Sequence, residues 1–192
     1  MSEEQMTINV STSPDPVLTQ YYEGLKKRVF YINDQIDSTM VDMVAIPLLM
    51  ADKESSDPIT IYVNTPGGSP YNGFAICDII EQLQSPTKII VLGYAYSMGA
   101  FIMMAGANNP NVTRYCHNFS TCLIHGGSDL IEGTTSQIKD YFKFTERFED
   151  KIKNFVLERS KITEEEYNLM TQKEAWLTSE DMLEKGIVDE II

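Results

Sequence analysis

The sequence predicts an α/β fold of repeated β-α-β units around a mostly parallel sheet. Short β-branched runs alternate with apolar segments at helical spacing through the first 130 residues. Glycine-bearing turns follow two of those runs, at the strand ends where open parallel sheets hold ligands. Further on, residues 135–160 read as one long, charged helix with a single apolar face.

Residues 1–17, with two prolines and little apolar pattern, read as an N-terminal arm, leaving residues 18–192 as one domain. Val29-Phe30-Tyr31-Ile32 is the first strand, after the basic cluster Lys26-Lys27-Arg28. Met40, Val41, Val44, Leu48 and Leu49 recur at helical spacing over residues 38–51, with Ser38 as N-cap. Pro47 should kink this helix or mark its first turn. Residues 59–63 are the second strand, 72–83 a helix and 88–92 the third strand. A glycine turn and a helix opening near Ser97 come next, then strands at 115–117 and 121–125. In the long helix, Ile138, Phe142, Phe148, Ile152, Phe155 and Val156 share one face. Residues 163–170 form a short helix, and Thr178-Ser179-Glu180-Asp181 is a capping box opening a helix that stops at Gly186. A strand over 187–192 closes the chain.

With 192 residues, 43% of them hydrophobic, the chain can bury a self-supporting core, which excludes intrinsic disorder. Fifteen Lys and Arg against 28 Asp and Glu leave a net charge of −13, unsuited to nucleic-acid backbones or anionic membranes. Cys77, Cys116 and Cys122 are too few for a secreted disulfide framework and read as buried small hydrophobes. Together with His117 and His125 they lack the spacing of a zinc site. The acidic start shows no secretory signal, and the apolar run 98–107 is too short to span a bilayer. A cytoplasmic setting is the expectation.

Chemistry concentrates in two motifs and a histidine. In Ala95-Tyr96-Ser97-Met98-Gly99-Ala100, a serine flanked by small residues lies between a strand and an apolar helix. That suits a sharp turn lifting Oγ clear at a helix N-terminus, although a plain N-cap serine fits the same pattern. In Thr65-Pro66-Gly67-Gly68, paired glycines let a backbone N–H approach a substrate, as an oxyanion donor must. Gly68 and Met98 are the expected donors. A general base titrating near neutrality has to be a histidine, and His125, at a strand end, is preferred over His117. The group orienting that imidazole stays open among Asp129, Glu132, Glu174, Glu180, Asp181 and Asp189.

In order and spacing, Gly67-Gly68, Ser97 within Ala-x-Ser-Met-Gly-Ala, and His125 resemble the ClpP family of self-compartmentalising serine proteases. The similarity runs from about residue 28 to residue 192. It implies a ClpP/crotonase-like fold with a protruding handle helix near 135–160. By position, Ser97 resembles the nucleophile, His125 the base, and the Gly68 and Met98 amides the oxyanion hole. The family's triad acid, an aspartate shortly before an aromatic-Leu-Ser/Thr element, matches Glu174 before Trp176-Leu177-Thr178. Lys173 stands where the family usually has arginine, which weakens an inter-ring ion pair. His-Gly-Gly replaces the family's His-Gln-Pro and leaves the following segment freer.

The resemblance further implies a homo-oligomeric tetradecamer of two stacked seven-membered rings. Polypeptides unfolded by a hexameric AAA+ ATPase would enter its chamber past the N-terminal arms. No metal or organic cofactor is required, and ATP only by the partner. A crotonase-type acyl-CoA enzyme would need neither the turn-borne serine nor the histidine. Membrane relatives of the signal-peptide peptidase type would need a membrane segment. A non-catalytic ring subunit is the remaining alternative.

Overall fold

The computed structural model describes residues 15–128 and 130–192. Residues 1–14 of the expected arm, and the candidate acid Asp129, lie outside the described residues. In chain order the elements are α1 (Pro16–Lys26), β1 (Val29–Ile32), α2 (Ser38–Met40) running through a π-turn into α3 (Ile46–Glu54), β2 (Ile59–Thr65) and α4 (Pro70–Gln82). Then come β3 (Thr87–Tyr96), α5 (Met98–Ala105), β4 (Val112–Cys116), β5 (Thr121–Ile124) and α6 (Thr135–Arg159). The chain ends with α7 (Glu164–Gln172), β6 (Ala175–Leu177), α8 (Ser179–Glu184) and β7 (Glu190–Ile191).

Strands β1-β2-β3-β4-β7 lie side by side in that order, all parallel, as the β-α-β alternation predicts. In β2, Ile59, Ile61, Val63 and Thr65 are buried while the residues between them are half-buried, the two-residue period of a sheet with one closed face. β3 does not stop at the glycine, contrary to expectation. Its first half pairs with β4, Gly93 bends it at φ 92°, and its last three residues pair with β5. An irregularity in β2 between Val63 and Thr65 accommodates the bend. β6, antiparallel to β5, is an additional strand that the sequence pattern did not announce.

The helix before β2 resolves the Pro47 question through an accommodated proline. Proline cannot donate to the carbonyl four residues earlier, that of Met43, and its ring crowds that oxygen. The chain widens into a π-turn over Val41–Ala45, and the Met43 carbonyl accepts the Tyr21 hydroxyl at 3.0 Å instead. The N-cap is Asp37, whose carboxylate accepts the Met40 amide at 3.0 Å, rather than Ser38.

The capping box of Thr134 and Gln137 opens α6, whose 25 residues make a rod of about 37 Å. Its C-terminal half is anchored on α4 and α5 through Phe148, Phe155, Phe74 and Phe101, with Val156 fully buried. Phe142, from the expected apolar face, remains 56% exposed. The closing strand is shorter than expected because residues 186–189 wrap the buried Arg114. Asp189 takes its guanidinium at 2.6 and 3.1 Å, and the Gly186 and Ile187 carbonyls accept at 3.0 and 3.1 Å. The three cysteines are buried and unpaired, and burial pushes the Cys116 thiol to about 11 and Cys122 to about 12.

Candidate active site

Ser97 is the hinge between β3 and α5. Its amide continues the sheet by donating to the Leu123 carbonyl at 2.8 Å, while its carbonyl accepts the Ala100 amide at 2.9 Å. Joining a strand to a helix in one residue forces φ 52° and ψ −118°, a conformation L-residues rarely adopt. The half-buried side chain is not spent on a cap: Oγ forms no hydrogen bond with any described residue. A plain N-cap serine is thereby excluded, and the hydroxyl is presented rather than used.

Tight packing holds that turn. A β-carbon at Gly99 would stand 2.7 Å from Thr65 Cγ2, so only glycine lets α5 approach β2 this closely. Gly67, at φ 90°, abuts the Tyr96 carbonyl, the Ser97 β-carbon and the Met98 nitrogen. Thr65 Oγ1, fully buried, accepts the Gly67 amide at 3.1 Å and donates to the Asp34 carbonyl at 2.6 Å, fixing the loop. Ile36 clasps the same loop, donating to Gly67 O and accepting from the Ser69 amide, both at 2.8 Å. In such a parallel bridge the middle residue's own N–H faces the other way, so Gly68 turns its donor away from Ile36. That amide donates to no described residue, and neither does the Met98 amide at the opening of α5, where helical N–H groups lack intrahelical partners.

His125 follows β5 directly and is half-buried. Tyr96 is level with Leu123, so the Ser97 turn and His125 leave neighbouring parallel strands at nearly the same height. On the other side of β5, Ile124 pairs with Ala175 in antiparallel register, which sets position 174 opposite position 125. Ser97, His125 and Glu174 therefore lie at adjoining ends of β3, β5 and β6. Their side chains are not joined: the Glu174 carboxylate accepts the Trp176 indole N–H at 3.2 Å, and the His125 ring has no hydrogen-bond partner among the described residues.

The other candidate acids are engaged elsewhere or stand apart. Asp189 is bound to Arg114, Asp181 caps α8 through Thr178, and Glu180 accepts from Ser179 at 3.0 Å. Glu132 is exposed, with no hydrogen bond among the described residues. His117, just past β4, lies 3.3 Å from the Ile192 carbonyl and borders the first half of β3 rather than its end. Lys173 forms the exposed C-cap of α7. Of the two glycines after His125, Gly127 has open space, but a β-carbon at Gly126 would meet the Thr171 carbonyl at 2.7 Å. The segment is thus pinned at Gly126 and free only beyond it.

The family model described as Clp protease matches residues 15–192. The chain belongs to the Clp protease family. A Clp protease of this kind is a peptidase of the ClpP class, and its α/β fold with a parallel-dominated sheet agrees with the family's. Among the described residues no helix is long and apolar enough to cross a membrane, and no three His, Cys, Asp or Glu side chains are grouped to hold a metal. Two aromatic residues that the sequence reading took only as motif positions are neighbours of the site: Tyr96, next to Ser97, and Trp176, which touches both Tyr96 and Glu174. The signal for Trp176 was its two-residue distance from Glu174, which on a strand puts both side chains on one face.

Proposed function

We propose that this Clp protease is a serine endopeptidase in which Ser97 is the nucleophile, His125 the general base and Glu174 the group that orients the imidazole. The observation that carries the reading is the strained Ser97 turn, its hydroxyl unspent beside two undonated amides at Gly68 and Met98. His125 takes the hydroxyl proton as Oγ attacks the peptide carbonyl, and the two amides stabilise the oxyanion. The imidazolium then protonates the leaving amine, and the neutral ring later activates water to release the acyl group. The β5–β6 register, which sets positions 125 and 174 opposite one another, supports a hydrogen bond between His125 and Glu174 in this scheme.

Two stacked homo-heptameric rings, receiving polypeptides from a hexameric AAA+ ATPase, complete the proposal. The exposed outer half of α6, with Phe142 and Phe144 at 56% and 41% exposure, supports a handle that meets another copy. Fluorophosphonate labelling with size determination on one sample tests both parts. The expected result is one label per subunit in a tetradecamer, and none in Ser97→Ala of the same size. An assembled ring that leaves the probe unreacted assigns the chain to the non-catalytic alternative.

A further inference from the structure

We propose that Trp176 is a positioning residue of this site, its indole N–H holding the Glu174 carboxylate in register with His125. The inference rests on the Ser97-His125-Glu174 reading above. Trp176 is the chain's single tryptophan and is 57% exposed, so burial does not account for its place. Its Nε1 donates to Glu174 Oε2 at 3.2 Å, and its ring stands edge-on to Tyr96 with centroids 5.3 Å apart. Tyr96 is itself fixed, its hydroxyl 3.0 Å from Thr121 Oγ1 and its ring 4.7 Å from that of Tyr94.

The registers explain the arrangement. Tyr96, Leu123 and Trp176 form one cross-strand row, and positions 125 and 174 stand opposite each other two residues along the same side of β5 and β6. A glutamate carries one more rotatable bond than aspartate, and its carboxylate accepts several donors at once. With Oε2 tied to the indole, Oε1 is left for the imidazole, and the extra freedom of the longer side chain is removed. Because the indole is braced on the residue preceding Ser97, one rigid ring couples the nucleophile turn to the acid.

Trp176→Phe keeps the ring on Tyr96 and removes only the donor. Measured on the assembled protein with a peptide substrate, kcat falls about five- to tenfold with KM unchanged, the scale of one ordinary net hydrogen bond at a partly exposed site. In a Glu174→Ala background the same substitution produces no further loss. Independently, Glu174→Ala alone shifts the emission of the single tryptophan, a readout that does not depend on the Phe variant folding. Wild-type kcat in Trp176→Phe, an equal loss in the Glu174→Ala background, or unchanged emission overturns the proposal. A chain that the fluorophosphonate fails to label overturns the triad reading as well. Normal labelling with an indifferent Trp176→Phe overturns the positioning role alone.

Discussion

Gly67 stands directly against Ser97: a β-carbon at position 67 would lie 2.7 Å from the Ser97 β-carbon, 2.6 Å from the Tyr96 carbonyl and 2.9 Å from the Met98 nitrogen. The glycine loop and the serine turn are therefore one packed unit. Gly67→Ala adds both this collision and an L-residue at φ 90°. The loop must withdraw, carrying the Gly68 donor with it, and kcat for peptide hydrolysis should drop by about a hundredfold or more, the cost of a lost oxyanion donor. Turnover measured on a variant whose assembly state matches the parent's checks this, and near-wild-type kcat would remove Gly68 from the proposed oxyanion role.

Ser97 carries backbone strain that its own side chain does not relieve, since φ is 52° and Oγ makes no cap. Replacing it by alanine keeps that strain, whereas glycine releases it. Both variants should be blind to fluorophosphonate, but Ser97→Gly should unfold at higher urea than Ser97→Ala by about 1 kcal/mol, after subtracting glycine's extra unfolded-state entropy. Equal stability of the two variants would mean the turn relaxes without its serine.

The alternation of strands and helices, the long α6 and the Ser97 turn were legible because each rests on a local hydrophobic period or a local break in one. What the sequence hid depends on partners distant in the chain. Gly93 looks like a turn, yet β5 offers its edge to the residues after it, and the strand runs on to Tyr96. Ala175-Trp176-Leu177 is too short to show a period and becomes a strand only against β5. Asp189 belongs to an apparent strand until Arg114, 75 residues earlier, claims its carboxylate. Residue chemistry alone could not choose among the candidate acids for the same reason: the carboxylates look alike until the β5–β6 register sets position 174 across from position 125, the neighbourhood on which the Glu174 proposal rests.

That same junction makes the two glycines after His125 unequal. A β-carbon at position 126 would press on the Thr171 carbonyl at 2.7 Å, at the end of α7, three residues before Glu174. Gly126→Ala should wedge His125 away from Glu174 and lower kcat about tenfold, since small misplacements of catalytic groups are costly. Gly127→Ala, with nothing within 4 Å, should leave kcat within about twofold. Kinetics of the two variants side by side decide the matter, and equal losses would deny the Gly126 contact any role.

Acid should unpin α7 from α8 through Glu166. The Thr163 amide, then the Lys185 ammonium and the Thr163 hydroxyl, hold its carboxyl down to about 2 from its usual 4.5. A carboxyl depressed in the folded state binds its proton more readily when unfolded, so acid favours unfolding. The stabilisation is whole above pH 4.5 and is lost as pH falls toward about 2. Glu166→Gln keeps an acceptor for the Thr163 amide but gives up the charge facing Lys185 at 2.9 Å. The variant should be less stable than the parent at pH 7, with the gap narrowing below pH 4.5 and closing near pH 2. Urea midpoints across that range measure it. A gap that stays constant with pH would show that the carboxylate's charge contributes nothing to a pair whose acid is 40% exposed.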